Sequence, residues 1–390
     1  MTVSNLYVHV PFCARKCEYC AFYSEASDGE LINRYVTALI SELELVAPNL
    51  KPRTVFFGGG TPSLLNLRQW EQIFGAMDRL GLLGAAEWTV ECNPATVSAD
   101  KAKLLRDGGV NRISLGVQSL DETLLDRLGR IHSRGQVFKS FDLLRHAGFD
   151  NLNVDLMFAI PGQTLAIWRA TLNEVLALGS EHLSSYEVIY EEDTPLYEQL
   201  RAGRFAVDED LAGAMYDEWL DRAATVGFRQ YEIANLAQHR RTDNPPPYCD
   251  PEIPDRACQH NVNYWRGGSF YGVGPSATSY VAGVRAKNWS NTPLYCEHLE
   301  QGRRAIESSE QLSPLARAGE TAAFGLRLAA GWPFAEFQRV TGFDLRAGWQ
   351  DDIQKIVNQG WGRLTPERFQ LTPAGLRFAD AAAEMFLRPD

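Results

Sequence analysis

An α/β protein, built as a partial (β/α)6 TIM-like barrel followed by a small winged-helix-like C-terminal domain, is what this sequence predicts. Three observations lead there. Through the first half, short β-branched or apolar runs alternate with longer stretches of helical period, the pattern of repeated βα units around a parallel sheet. A cysteine-rich loop follows the first run, and single polar residues stand at the C-terminal ends of later runs, the face on which barrels build their sites. After about residue 305 the pattern changes to short helices, then a segment with a turn and a closing helix.

The runs that read as strands are 6–10, 54–57, 88–91, 112–116, 151–155 and 183–188. Between the first two, residues 31–46 read as an amphipathic helix, because Leu31, Tyr35, Leu39 and Leu43 fall at four-residue spacing on one face. Residues 208–225 also read as helix, with a break at Gly227. Asn244, Pro245, Pro246 and Pro247 cannot continue regular structure, so residues 237–258 are expected to form a surface loop. Residues 361–371 carry a turn at Thr365 and Pro366, and a closing helix is expected through Phe386. The expected division is a barrel over 1–235, a loop and linking region over 236–304, and the small domain over 305–390.

Composition narrows the functions. With 390 residues, 45% of them hydrophobic, the chain can bury a large core. A formal net charge of -11 argues against grip on phosphate backbones, so nucleic acid is not an expected partner. From residue 301 onward eleven Lys and Arg balance eleven Asp and Glu, which makes the small domain a packing element rather than a DNA reader. No uncharged apolar run of membrane-spanning length (about 18 residues) occurs, and the N-terminus carries no leader pattern, which predicts a cytoplasmic protein.

Cys13, Cys17 and Cys20 lie within eight positions, directly after the first strand. Seven cysteines in a chain of this size suit a metal site better than a disulfide scaffold. Thiolates are the ligands of iron-sulfur clusters, and three of them on a four-iron cluster leave one iron open. A zinc knuckle would want a fourth ligand nearby, and plain packing cysteines have no reason to keep this spacing. Gly58, Gly59, Gly60, Thr61 and Pro62 follow the second strand, where residues without side chains let backbone amides approach a ligand. Glu91, Gln118 and Asp155 stand at later strand ends, although each alone could be a solvated residue or a helix cap.

The C-x-x-x-C-x-x-C loop with the glycine motif resembles the radical S-adenosylmethionine superfamily. The resemblance implies a 4Fe-4S cluster on Cys13, Cys17 and Cys20, with S-adenosylmethionine on its open iron. It also implies cofactor contacts at Tyr7, Tyr19, Gly59, Gly60, Thr61, Glu91, Gln118, Arg130 and Asp155. For Arg130, in Leu128-Gly129-Arg130-Ile131-His132, a guanidinium could pair with the cofactor carboxylate through parallel hydrogen bonds, or be a surface arginine.

Residues 260–265 read His260-Asn261-Val262-Asn263-Tyr264-Trp265. A histidine there is either structural or a ligand to haem iron, with Tyr264 and Trp265 stacking along the porphyrin. His-Asn-x-x-Tyr-Trp, taken with the cluster loop and the small domain, resembles the HemW-type haem chaperones over nearly the whole chain. That resemblance implies haem binding, His260 as candidate ligand, and transfer to an apo-haemoprotein recipient, respiratory and membrane-associated, with room for a homodimer. The related HemN-type oxygen-independent coproporphyrinogen oxidases place another cysteine where this chain has Phe22, and carry an N-terminal arm ahead of the first strand. Such an oxidase, decarboxylating porphyrinogen propionates by radical chemistry, is the alternative.

Cys249 and Cys258 flank the Pro-rich segment and read as loop cysteines, unless Cys258 joins His260 in haem ligation. Cys92 and Cys296 read as packing residues.

Overall fold

Residues 2–26, 28–239 and 250–389 are described by a computed structural model of the chain. The chain divides into two units: residues 1–226, 270–279 and 286–308 form one, and residues 227–269, 280–285 and 309–390 the other. Asn244, the three prolines after it and Cys249 lie outside the described residues.

In the first unit six strands run parallel in chain order: β1 (Val3–Val10), β2 (Leu50–Gly59), β3 (Glu87–Cys92), β4 (Arg112–Gln118), β5 (Leu152–Phe158) and β6 (His182–Glu187). All six expected strands are present, as is the βα alternation. Helices α1 (Gly29–Val46), α2 (Leu67–Arg79), α3 (Ala99–Asp107), α4 (Glu122–Arg127), α5 (Arg134–His146) and α6 (Leu165–Ala177) connect them. A seventh parallel strand, Tyr271–Val273, adds to the outer edge of β1, pairing Leu6 with Tyr271 and Val8 with Val273. It comes from the stretch read as a linking region, where three residues are too few to show a period.

Strand alternation separates the two faces of this sheet. Leu6, Val8, Val10, Val55, Phe57, Val90, Ile113, Leu115, Val154 and Leu156 are fully enclosed. They serve the helix side, as in the packing of Phe57 on Trp70 of α2 at 5.2 Å between ring centroids. The alternate positions carry Tyr7, His9, Glu91, Ser114, Gly116, Asn153, Asp155 and Ser184, so the opposite face is polar. An inward polar face in a parallel sheet is where a site can be built.

Helix α1 starts at Gly29, with the Asp28 carboxylate accepting the Glu30 N–H as its cap. Its buried stripe is Ile32, Tyr35, Val36, Leu39, Leu43 and Val46, so Ile32 takes the inner position expected of Leu31. Glu42 also falls on the buried side and is fully enclosed. Its carboxylate accepts hydrogen bonds from Gly274 N–H at 2.8 Å, Tyr295 Oη–H at 2.8 Å, Asn288 Nδ2–H at 2.9 Å and Arg304 Nε–H at 3.1 Å.

The second unit holds an antiparallel hairpin, Phe228–Glu232 with Asn235–Gln238, and an antiparallel sheet of Trp332–Pro333, Arg368–Leu371 and Gly362–Leu364. Helices Pro314–Gly325, Phe334–Thr341 and Gln350–Asn358 pack with that sheet around Trp332, Phe337, Trp349, Ile356, Phe369 and Phe386. The expected turn at Thr365 and Pro366 lies between two antiparallel strands, Gly362–Leu364 and Arg368–Leu371. Two local expectations fail. The segment after residue 305 opens with a strand, Ile306–Gln311, and the closing helix is split into Pro373–Leu376 and Ala379–Glu384.

The surface-loop reading of 237–258 also needs correction at both ends. Gln238 still belongs to the hairpin, and Ile253, Ala257 and Cys258 are buried. Cys258 is therefore not a loop cysteine: its N–H donates to Tyr231 Oη at 3.2 Å, and the helix Gln259–Trp265 begins immediately after it. Among the described residues no helix is long and apolar enough to cross a membrane.

Candidate metal and cofactor site

The polar ends of the strands open into a cavity of about 700 Å³ lined by Cys13, Cys17, Cys20, Tyr19, Gly59, Gly60, Thr61, Glu91, Gln118, Arg130 and Asp155, among others. Of the residues expected to hold the cluster, its cofactor or haem, Tyr7 and His260 do not line it. Its size suits a single small-molecule ligand (typically about 300–1,000 Å³).

The cysteine loop is held from several sides. Phe12–Cys13 pairs with Glu25–Ala26, Glu18 N–H donates to Leu128 O at 3.0 Å, and Leu196 N–H donates to Glu18 O at 2.9 Å. All three cysteines are unpaired and half-buried. Cys13 Sγ lies 3.5 Å from Thr61 Oγ1, and Arg130 Nη1–H donates to Cys17 Sγ at 3.5 Å. Burial pushes the Cys13 thiol up, while the Thr61 contact and the Arg130 charge work in the opposite direction. Among the described residues no three His, Cys, Asp or Glu side chains converge on a single metal-sized point. Cluster ligands need not converge, because each thiolate holds a different iron.

Arg130 supplies the clearest sign of a missing ligand. Its Nη2–H donates to Gly116 O at 2.6 Å, yet its buried Nε has no hydrogen-bond partner in the structure. A buried unpaired donor costs roughly 1–3 kcal/mol, so its presence on a cavity wall fits an acceptor supplied from outside the chain. The donor set and this orphaned nitrogen both fit a cluster with an amino-acid-type cofactor beside it.

The glycines act differently from the expected amide cradle. Gly60 N–H donates to Val10 O and Thr61 N–H to Phe12 O, both at 2.8 Å, so these amides are taken by backbone. The glycines provide clearance instead. Gly59 has φ +103°, and a Cβ there would lie 2.5 Å from the His9 ring, while one at Gly60 would lie 2.8 Å from the Val10 and Phe12 carbonyls. Gln118 holds φ +64° at the end of β4, the kind of backbone strain that collects at functional sites.

Two carboxyls share the wall. Burial, then the neighbouring Asp155, pushes the Glu91 carboxyl up to about 8, against the help of the Gly59 N–H and Arg112. Burial also raises Asp155, which accepts Ser114 Oγ–H at 2.9 Å and Asn153 Nδ2–H at 2.7 Å. Burial likewise pushes the Tyr19 phenol up. Tyr7 stands one step removed: its Oη is 3.0 Å from His9 Nδ1, and His9 Nε2 is 3.0 Å from Tyr23 O, beyond the cysteine loop. His9, Ser114 and Asn153 escaped the sequence reading, although polar residues at alternate positions of apolar strands were a usable signal.

His260 lies in the second unit and is 1% exposed. Its Nε2 is 2.8 Å from Tyr264 Oη, with the rings edge to face at 4.8 Å. Nearby in the motif, Trp265 Nε1 and Asn263 Nδ2 are buried without a hydrogen-bond partner, and the Arg327 guanidinium lies 4.8 Å from the Trp265 ring.

Comparison with known proteins identifies the family. Residues 7–175 match the radical SAM superfamily, and residues 312–378 match the HemN C-terminal domain. The chain is 32% identical to the heme chaperone HemW of Lactococcus lactis, over 99% of this chain and 98% of that protein. It is also 32% identical to the heme chaperone HemW of Escherichia coli, over 98% of each. The solved coproporphyrinogen III oxidase HemN of Escherichia coli superposes with a TM-score of 0.81 at 20% identity, covering 99% of this chain and 90% of that one, a likeness of fold. With full-length identity above 30% to such relatives, the chain belongs to the HemW family of heme chaperones within the radical SAM superfamily.

Proposed function

We propose that this chain binds haem and passes it to an apo-haemoprotein, and that Cys13, Cys17 and Cys20 hold a 4Fe-4S cluster beside S-adenosylmethionine. The observation that carries the cofactor part is the gathering of three free thiols, the unpaired Arg130 Nε and two carboxyls on one cavity wall. When bound, the cluster supplies an open iron that the amino and carboxylate groups of S-adenosylmethionine can chelate. Arg130 then orients the cofactor carboxylate through Nε. Asp155, fixed by Ser114 and Asn153, accepts from cofactor hydroxyl or amino groups. Glu91 keeps its proton to about pH 8, so it can donate as well as accept. The haem part rests on family membership and on the two unpaired donors in the His260 motif, Trp265 Nε1 and Asn263 Nδ2. For His260 to bind iron, its ring must leave Tyr264 and reach an opened surface. The recipient is proposed to be a respiratory, membrane-associated haemoprotein, met from the cytoplasm.

Anaerobic reconstitution with iron and sulfide, followed by haem titration and a coproporphyrinogen decarboxylation assay, tests this reading. Wild type is expected to take up about four irons and the Cys13→Ala/Cys17→Ala/Cys20→Ala variant none. Both are expected to bind haem. Decarboxylated product from wild type would overturn the chaperone reading in favour of an oxidase.

A further inference from the structure

The rim of the cavity has a character its interior does not share. Four of its lining residues are large apolar side chains left in water: Phe22 is 70% exposed, Ile189 66%, Ile131 43% and Tyr186 43%. Isolated exposed apolar residues are ordinary, but several gathered around one opening mark a surface that something covers. They come from separate places: the cysteine loop, the turn after α4 and the end of β6. Only the tertiary fold brings them together.

Charge around the rim is divided. Arg15 and Lys16 stand on the cysteine-loop side, where Arg15 is 3.7 Å from Glu18, while Glu187 and Glu191 stand at the β6 side. A ligand suited to this rim is broad, flat and apolar, with carboxylates at one edge. The cavity, at about 700 Å³, would hold the cluster and its cofactor against the strand ends, which leaves its rim for such a ligand.

We infer that the mouth of this cavity is the docking place for haem. The macrocycle lies on Phe22, Ile131, Tyr186 and Ile189, with its propionates toward Arg15 and Lys16 and away from Glu187 and Glu191. This rests on the haem-binding reading above, as family membership supports it, and places the ligand at the barrel mouth instead of at the His260 motif. Docking here needs no opening of the fold, whereas His260 is enclosed and its Nε2 is engaged with Tyr264.

Haem titration of the full-length reconstituted protein, read by absorbance, tests the placement on four proteins: wild type, Phe22→Ser/Ile189→Ser, Arg15→Glu/Lys16→Glu and His260→Ala. Because Phe22 and Ile189 are exposed, their replacement should leave folding and iron content unchanged, which circular dichroism and iron analysis check. The serine variant is expected to raise the haem Kd at least about tenfold, equivalent to about 1.4 kcal/mol. The charge-reversed variant is expected to bind several-fold more weakly and to lose the salt dependence expected of wild type. His260→Ala should bind within about twofold of wild type. Wild-type affinity in both rim variants, together with loss of binding in His260→Ala, would overturn the placement and move haem to the second unit. Wild type that binds no haem at all would overturn the haem reading itself.

Discussion

Glu42 on α1 and Glu91 at the end of β3 are both carboxylates of the first unit, and the chain surrounds them in different ways. Glu42 meets an amide N–H, an asparagine amide, a tyrosine hydroxyl and a guanidinium, all drawn from the protein. Glu91 faces a cavity and has another carboxyl, Asp155, for a neighbour, with its proton retained to about pH 8. A buried carboxylate without enough donors is costly, so a closed network such as that of Glu42 serves the fold. An open one such as that of Glu91, beside a strained Gln118 and an unpaired Arg130 Nε, reads as capacity held for a ligand.

The largest effect that would break this comparison lies at Glu42. Glu42→Ala leaves the Arg304 guanidinium and the Asn288 amide without their shared acceptor. A loss of about 3–5 kcal/mol in urea unfolding is expected, as for removal of one partner from a buried ion pair. A loss below about 1 kcal/mol would show that the network is not structural.

Gly59→Ala comes next, since φ +103° is strained for any residue with a side chain and the new Cβ would meet His9. We expect a stability loss of about 1–3 kcal/mol from backbone strain. Weaker S-adenosylmethionine binding by calorimetry should accompany it.

At Glu91 the effect is a pH dependence. The folded carboxyl titrates near 8 and the unfolded one near its ordinary value of 4.5, so between these values the folded chain binds the extra proton. Stability of the cofactor-free protein should therefore fall as pH rises from about 4.5 to about 8. Glu91→Gln, which cannot ionise, should flatten that slope in unfolding curves measured at several pH values. An unchanged slope would sink the assignment.

The smallest effect sharpens the contrast from the solvent side. Arg34 and Glu300 form a two-pronged ion pair at 2.7 and 2.9 Å, but both are substantially exposed. Glu300→Gln should cost no more than about 1 kcal/mol in the same urea assay, far less than Glu42→Ala.

The elements with strong local signals were legible beforehand. All six parallel strands, α1 and the turn at Thr365 and Pro366 follow from period and turn residues, and the three cysteines from their spacing. The strand Tyr271–Val273 was not, because it is stabilised by pairing with β1 rather than by any pattern of its own. His260 and Tyr264 stand four apart on one helix, so their contact was available from helical spacing and was overlooked. The occupied amides of Gly60 and Thr61 were not available, since their acceptors lie about fifty positions away in β1 and the loop after it.

By itself the sequence determined the βα order, the polar and apolar faces of the strands, and the presence of a three-thiol loop at a strand end. These depend on period and spacing, which act over a few residues. Tertiary structure alone decided which distant donors close around Glu42, which nitrogen of Arg130 stays unpaired, and that Phe22, Ile131, Tyr186 and Ile189 share one rim. Hydrogen-bond satisfaction and solvent exposure are properties of neighbours in space, and the chain brings those neighbours together only when it folds.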